Sequence, residues 1–145
     1  MVCTFFGHSE CFGLNKKLLK NTIEKLINEG VDKFYVGNQG TFDSTVLECL
    51  IDIQKLYSHI EISVVLAYLP NNISKTNLPL KFCIYPEGIE IGPHKFAIHR
   101  RNNWMIEQSD FCICFIEHTW GGAYKYSCKA KSRGLTVINI GSLVL

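Results

Sequence analysis

The sequence lacks a strong charge of either sign. Its 145 residues carry 15 Lys and Arg against 13 Asp and Glu, which gives a formal net charge of +2. Proteins that bind nucleic acid usually concentrate Lys and Arg on one face, so this balance argues against a nucleic-acid partner. Apolar runs of roughly 18 residues, which a membrane-spanning helix needs, are missing as well, and we expect no membrane partner.

Cysteine pairs that would bind zinc or build a disulfide framework are also missing. The seven cysteines are an odd number without a CxxC pair, and most of them lie in apolar runs. His8 and His118 are not spaced as a metal-binding pair. We therefore expect a reduced, cytoplasmic protein that uses no metal and no cofactor. The strand-like start at 2–6, without a basic leader, predicts no signal peptide.

What the sequence does contain is a regular alternation of short apolar segments and amphipathic segments. With 47% hydrophobic and 19% charged residues, the chain can bury the core of one globular domain. Residues 71–86 are polar and hold two prolines, which predicts a surface loop with one short extended piece at 82–85. The periodicity predicts strands at 2–6, 33–36, 61–69, 111–116 and 136–140, and helices at 15–29, 42–57, 94–108 and 122–133.

Apolar strands that alternate with helices are typical of a parallel sheet covered on both faces. We predict a single Rossmann-like α/β domain over residues 1–145, with a mainly parallel five-stranded sheet in the order 3-2-1-4-5. In such folds ligands bind outside the carboxyl ends of the strands, where the strand order reverses. Here the reversal falls between the first and the fourth strand.

The stretch 35–43 is organised like a phosphate-binding turn. An apolar strand ends at Gly37, Asn38 and Gln39 follow, and a helical pattern begins shortly after Gly40. Glycines let a backbone approach a ligand closely, and free N–H groups at a helix N-terminus attract anions. The turn matches neither GxGxxG nor the Walker A pattern. The structural alternative is an ordinary turn in which the glycines serve backbone geometry alone.

Two further turns should lie at the same edge of the sheet. Gly7-His8-Ser9 follows the first strand, and 118–122 follows the fourth strand, with Trp120 in front of two glycines. Because the carboxyl ends of parallel strands share one edge, the three turns together favour a ligand site over three structural turns.

Several short motifs resemble those of the YpsA-like proteins of the SLOG superfamily, in the family's order over nearly the whole chain. The resemblance implies a Rossmann-like fold and a site for a nucleotide or a nucleotide-derived ligand. The motifs are Phe5-Phe6-Gly7-His8, Phe34-Tyr35-Val36-Gly37-Asn38-Gln39-Gly40, Pro86-Glu87-Gly88, Arg101-Asn102-Asn103-Trp104-Met105 and Trp120-Gly121-Gly122-Ala123.

The same superfamily includes the LOG-type phosphoribohydrolases, which remove the base from a nucleoside 5′-monophosphate. Their signature pairs an Arg-Lys with a Pro-Gly-Gly-x-Gly-Thr-x-x-Glu turn. The resemblance places the arginine near Arg100-Arg101, the glycine pair on Gly121-Gly122 and the glutamate at Ser127. Serine lacks the carboxylate that N-glycosidic cleavage uses to stabilise the oxocarbenium-like centre or to activate water. We therefore expect a ribose-phosphate pocket without the LOG reaction.

Each candidate side chain also has an ordinary structural role. Arg100 and Arg101 are either solvated helix residues or, for one of them, a phosphate ligand suited to a guanidinium. Trp104 is a core or cavity-wall residue or, alternatively, a platform on which a base stacks. Asp43 either caps the second helix, as Thr41 also could, or accepts a ribose hydroxyl.

The candidates fall into two groups. Glu87, Asp43 and Glu117 are the carboxylates that could replace the missing glutamate. His8 and His118, which both follow strands at the predicted edge, could act as acid–base catalysts or hydrogen-bond the ligand. The ligand-binding candidates are Gly7, His8, Ser9, Gly37, Asn38, Gln39, Gly40, Asp43, Glu87, Arg100, Arg101, Asn102, Trp104, His118, Trp120, Gly121 and Gly122.

Three function classes stay open. The favoured one is a binding or sensing module for a nucleotide derivative, such as an ADP-ribose-like or cyclic nucleotide signal. The second is an enzyme on a nucleoside or nucleotide, a LOG-like hydrolase or a transferase with a substituted carboxylate. The third is DprA-like binding of single-stranded nucleic acid, against which the net charge argues. A homo-oligomer is compatible with each of them.

Overall fold

A computed structural model describes residues 1–70 and 79–145 of the chain. They form one sheet of six strands and four α-helices. The strands are β1 (Val2–Gly7), β2 (Lys33–Val36), β3 (Glu61–Val65), β4 (Cys83–Ile84), β5 (Phe111–Phe115) and β6 (Thr136–Asn139), and the helices are α1 (Lys16–Asn28), α2 (Gly40–Gln54), α3 (Ala97–Gln108) and α4 (Gly122–Ser132). No helix in these two ranges is both long and apolar enough to cross a membrane.

All neighbouring strands are parallel, and the sheet order is β4-β3-β2-β1-β5-β6. The five strands predicted from the sequence stand in the predicted order, so the Rossmann-like α/β class is confirmed. The predicted number of strands is wrong by one, because the extended piece expected at 82–85 pairs with β3 as β4. Two residues are too few to show a strand pattern. Of the loop expected at 71–86, residues 71–78 lie outside the described part of the chain.

Side chains alternate along the two central strands, and each set packs under a different pair of helices. Cys3 and Phe5 of β1 and Phe115 of β5 belong to the core formed with α1 and α2. Phe6 and Cys114, which point the other way, belong to the core formed with α3 and α4. Burial on both faces explains why these strands are apolar except for the buried Thr4, instead of alternating with polar residues.

Several element boundaries differ from the sequence-based expectation: α2 ends at Gln54 rather than 57, α3 begins at Ala97 rather than 94, and two further differences have a clear cause. Helix α2 begins at Gly40 rather than 42, because the Asp43 carboxylate accepts the Gln39 N–H at 2.8 Å and so fixes Gln39 as the N-cap. Strand β3 ends at Val65 rather than 69, since its neighbour β4 ends at Ile84; the Leu66 N–H still donates to the Ile84 carbonyl at 2.9 Å, and the described residues show no pairing beyond it.

Close packing joins the carboxyl end of β1 to the first turn of α2. A Cβ on Gly7, the last residue of β1, would lie 2.3 Å from ring atoms of the buried Phe42. Glycine is therefore required at this strand end by space. The packing brings the loop after β1 and the N-terminus of α2 to the same edge of the sheet.

Candidate functional site

A cavity of about 660 Å³, the main cavity, opens at the carboxyl ends of β1, β2 and β5, where the strand order reverses. Its position follows the rule for open parallel sheets, and its volume lies in the range of small-molecule sites. Most of the residues singled out in the sequence line it: Gly7, His8, Ser9, Gly37, Gln39, Asp43, Arg101, Asn102, Glu117, His118, Gly121 and Gly122.

The remaining candidates lie outside the wall of the main cavity: Asn38, Gly40, Glu87, Arg100, Trp104 and Trp120. Arg100 donates through Nε to the Ile89 carbonyl at 2.6 Å and through Nη1 to the Pro93 carbonyl at 2.8 Å. The ring of Trp104 packs 5.1 Å from that of Tyr35. These contacts give Arg100 the role of holding the loop before α3, and Trp104 the role of packing α3 on the sheet.

Two charged side chains of the protein itself occupy the turn after β2. A Cβ on Gly37 would lie 2.9 Å from Asp43 Oδ2 and 3.0 Å from Arg101 Nη1. The same Asp43 oxygen accepts the Gln39 N–H at 2.8 Å, an amide that a bound anion would otherwise take. A carboxylate of the chain thus fills the place that the sequence assigns to a phosphate.

Ser9 closes the same turn from the loop after β1. A Cβ on Gly40 would lie 2.7 Å from Ser9 Cα, and the Thr41 N–H donates to the Ser9 carbonyl at 2.9 Å. Gly40 also has a φ of 89°, which favours glycine. Contact with the protein's own backbone therefore accounts for this glycine.

Arg101 is only 2% exposed although it lines the main cavity. Its Nη1 donates to the Val65 carbonyl at 3.0 Å and to Asn38 Oδ1 at 3.3 Å, and its Nε donates to Asn102 Oδ1 at 2.7 Å. Burial lowers the pKa of the guanidinium, while Asp43 raises it. Because arginine stays charged at neutral pH, it places a fixed positive charge in the cavity wall.

Asp43 is a carboxylate that titrates near neutral pH. Burial raises the pKa of Asp43 to about 6, although the hydrogen bond from Gln39 and the charge of Arg101 oppose the shift. A carboxyl group with such a pKa can both take up and release a proton under physiological conditions. Asp43 therefore combines the capping role considered from the sequence with a chemical one.

The turn before α4 is open, in contrast to the turn after β2. Gly121 is the N-cap, with φ 91° and ψ 173°, a conformation that essentially only glycine adopts. No atom of the described residues lies within 4 Å of a Cβ placed on Gly121, and one on Gly122 would meet only Tyr126 Cε2, at 4.0 Å. Among the described residues no side chain caps this helix end through a hydrogen bond, so its first N–H groups are available to an anion in the cavity.

Three aromatic rings stack beside the open turn. The rings of His8 and His118 lie 3.8 Å apart, and the rings of His118 and Trp120 also lie 3.8 Å apart, each pair inclined by 16°. Trp120 is 68% exposed, so a planar group can stack on it. The Nε2 atom of His8 accepts a hydrogen bond from the Glu117 N–H, with 3.0 Å between the two nitrogens. Burial, followed by the neighbouring His118, lowers the pKa of His8, which keeps it neutral at pH 7.

Of the three candidate carboxylates, Asp43 is best placed to act on a ligand. Glu87 is exposed and lies outside the main cavity. Glu117 lines the cavity, but its Oε2 accepts hydrogen bonds from both the N–H and the hydroxyl of Ser142.

The glutamate of the hydrolase signature has no counterpart in the main cavity. Ser127 is fully buried, and its hydroxyl has no hydrogen-bond partner among the described residues. Counted residue by residue from Trp120, the signature ends at Cys128, so the assignment to Ser127 is wrong by one position. Cys128 is exposed and lines a second cavity near the end of the chain. Neither position brings a carboxylate to the main cavity.

Sequence reasoning missed Tyr126, which lines the main cavity. The signal was its spacing: Tyr126 follows Gly122 by one turn of α4, and residues four apart share one helix face. Seven apolar side chains that line the cavity were missed as well: Phe5, Phe6, Phe12, Ile98, Met105, Phe115 and Ala123.

No protein-family model matches this chain, and no curated protein matches it. A functional inference therefore rests on the chemistry of the main cavity.

We expect the Asp43 carboxyl to make the fold less stable as the pH rises. Between its ordinary pKa of 3.8 and its folded pKa of about 6, the folded state binds the proton more tightly than the unfolded state. The free energy of unfolding then falls with rising pH, by at most about 3 kcal/mol in total. Asp43→Asn retains an oxygen for the Gln39 N–H, so it should be more stable than the unmodified protein at pH 7. Urea unfolding over a pH series measures the difference.

Asp52 on the same helix provides a control, because its pKa is shifted in the opposite direction to that of Asp43. Hydrogen bonds from Lys20 and Lys55 lower the pKa of Asp52, so its ionised form stabilises the fold above its ordinary pKa. Asp52→Asn should therefore be less stable than the unmodified protein at pH 7. A stability difference for Asp43→Asn that stays constant between pH 4 and pH 7 would contradict the raised pKa.

Proposed function

We propose that this protein binds a nucleotide or nucleotide-derived ligand in the main cavity and serves as a binding or sensing module. The observation that carries the proposal is the uncapped N-terminus of α4, open above Gly121 and Gly122. Unpaired N–H groups at a helix N-terminus, together with the helix dipole, bind phosphate groups. Asp43 fills the corresponding place at α2, so the phosphate is assigned to α4.

Surfaces in and beside the main cavity suit the remaining parts of a nucleotide. Trp120 extends the stack of His8 and His118 with an exposed ring on which a base can stack. Arg101 contributes a positive charge, and Asn102 a buried amide, on the side formed by α3. A planar group thus finds a stacking surface beside the main cavity, and a phosphate and a sugar find polar groups within it.

The motif series and the position of the cavity together support membership of the YpsA-like group of the SLOG superfamily, which we include in the proposal. The turns after β1, β2 and β5 carry the motifs, and all three contribute residues to the main cavity. A cytoplasmic setting is also proposed, since all seven cysteines are free thiols.

One observation favours a second candidate function, an enzyme that processes a nucleoside or nucleotide. Asp43 lines the main cavity with a pKa of about 6, and perturbed carboxyl groups in clefts are typical of acid–base catalysts. Asp43 would then activate water in place of the glutamate that the hydrolase signature requires. The absence of a carboxylate at Ser127 and Cys128 ranks this candidate below the binding module.

Substitution at Gly122 tests the assignment of the phosphate. Gly121 is unsuited to this purpose, because its backbone conformation excludes other residues. A side chain at Gly122 meets no close protein atom, but it would stand between the ligand and the first N–H groups of α4. Gly122→Val should retain the fold and lower the affinity for a nucleoside monophosphate at least about tenfold, as expected when a hydrogen bond to a charged group is lost. Isothermal titration calorimetry measures this loss.

Cys128→Val is the matched control for Gly122→Val. It introduces the same β-branched residue into α4, at an exposed position that faces the second cavity, and should leave the affinity unchanged. Thermal unfolding of both variants shows whether the fold is retained. Equal affinity in Gly122→Val and the unmodified protein would show that the open turn binds no phosphate.

Incubation with nucleoside monophosphates separates the two candidate functions. We expect a bound nucleotide to stay intact over hours, because the main cavity lacks the glutamate of the hydrolase signature. Chromatographic detection of free base tests this expectation. Base release by the unmodified protein would support the enzyme, and Asp43→Asn should then slow the release by roughly 10²–10⁴-fold if Asp43 is the acid–base group.

A further inference from the structure

A chain of hydrogen bonds on α3 and α4 starts at Lys129 and ends at the main cavity. Lys129 Nζ lies 2.5 Å from Asn103 Oδ1. Because a protonated lysine can only donate, the atom of the Asn103 amide that faces it must be the oxygen. The amide nitrogen of Asn103 then faces His99 Nε2 at 2.9 Å and donates to it. Lys129 thus sets the orientation of the Asn103 amide.

His99 consequently carries its hydrogen on Nδ1. A ring nitrogen that accepts from an amide has no hydrogen, and a neutral imidazole holds its one hydrogen on the other nitrogen. Burial, followed by the charges of Lys125 and Lys129, lowers the pKa of His99, which keeps the ring neutral at pH 7. His99 Nδ1 lies 2.6 Å from the Tyr126 hydroxyl oxygen and therefore donates to it.

Asn102 is a second polar group beside the same hydroxyl, and it lowers the pKa of Tyr126. Arg101 Nε, which can only donate, lies 2.7 Å from Asn102 Oδ1. That contact fixes the Asn102 amide and leaves its nitrogen for Tyr126. Burial raises the pKa of Tyr126, while the hydrogen bond from Asn102 and the charge of Arg101 lower it, and the phenol stays protonated at neutral pH. The phenol oxygen therefore receives a hydrogen bond from the His99 ring N–H.

The hydroxyl hydrogen of Tyr126 is left without a protein acceptor. Its oxygen accepts from His99, and no carbonyl or carboxylate within the described ranges accepts the hydrogen. Tyr126 lines the main cavity, and its ring lies beside the open turn, 4.0 Å from a Cβ placed on Gly122. A buried hydroxyl donor without an acceptor is costly, so the cavity is where this hydrogen finds one.

We propose that Tyr126 is the oriented hydrogen-bond donor of the site and that its hydroxyl donates to an unprotonated oxygen of the ligand, on the phosphate or on the sugar. The part that concerns the ligand rests on the proposed function, whereas the orientation of the hydroxyl does not. Lys129, which can only donate, fixes this orientation through the Asn103 amide and the His99 ring. The site therefore selects ligands that present an acceptor oxygen beside the first turn of α4.

The orientation is tested without any ligand by ¹⁵N NMR of the His99 ring at neutral pH. We expect hydrogen on Nδ1 and none on Nε2. Lys129→Met should shift the ring toward the other tautomer, because Asn103 is then free to turn over. Lys131→Met, which removes an exposed positive charge from the same helix end, should leave the tautomer unchanged. Hydrogen on Nε2 of the unmodified protein would overturn the proposal, since Tyr126 could then donate to His99.

Donation to the ligand is tested by calorimetry with adenosine 5′-monophosphate and with adenosine. A bond to the phosphate predicts that Tyr126→Phe weakens binding of the monophosphate roughly ten- to hundredfold and leaves adenosine unaffected. A bond to the sugar predicts an equal loss for both probes, of about tenfold or less. Tyr124→Phe is the control, because it removes a hydroxyl from the same helix at the second cavity.

Unchanged affinity of Tyr126→Phe for both probes would overturn the proposal. If the unmodified protein binds neither probe, the proposed function fails by that result alone. The tautomer of His99 still decides in that case whether the hydroxyl of Tyr126 is directed at the cavity.

Discussion

The buried guanidinium of Arg101 is the interaction on which the site depends. It lies on α3 but donates to the carbonyl of Val65 at the end of β3 and to Asn38 in the turn after β2. A buried charge is tolerated only where hydrogen bonds and opposite charge compensate its lost hydration. Here carbonyl and amide oxygens supply the hydrogen bonds, and Asp43, which faces the same side of Gly37, supplies the opposite charge.

The two helix N-termini at this edge of the sheet therefore differ in whether a side chain of the protein occupies them. At α2 the N-terminal amide of Gln39 is bonded to Asp43, so the protein's own carboxylate takes the place of an anion. At α4 no side chain does so, and Gly121 and Gly122 leave the helix end open. Burial opposes the ionisation of Asp43. The buried Asp43 carboxylate is unfavourable in its own surroundings, yet it closes one anion site. Such exceptions are expected at functional sites.

The fold could be predicted from the sequence because hydrophobic periodicity determines strands and helices that are buried on both faces. Strand β4 was not predicted as part of the sheet, since two paired residues are too few to show hydrophobic periodicity. The edge that carries the site followed from the topology, but the difference between the two glycine turns did not. Gly37 and Gly121 look alike in sequence. Only the three-dimensional positions of Asp43 and Arg101 show that the turn at Gly37 is filled. Tyr126 was missed because a tyrosine within an amphipathic helix is typical of a core residue.

The central claim is that an anionic ligand binds the open turn of α4 and not the filled turn of α2. Backbone amide NMR during a titration with adenosine 5′-monophosphate tests it most directly, because each turn contributes its own amide signals. The account predicts large, saturable shifts for the amides of Gly122 and Ala123, and small shifts for those of Gln39 and Gly40. Large shifts confined to Gln39 and Gly40, or no saturable shift at either turn, would contradict it.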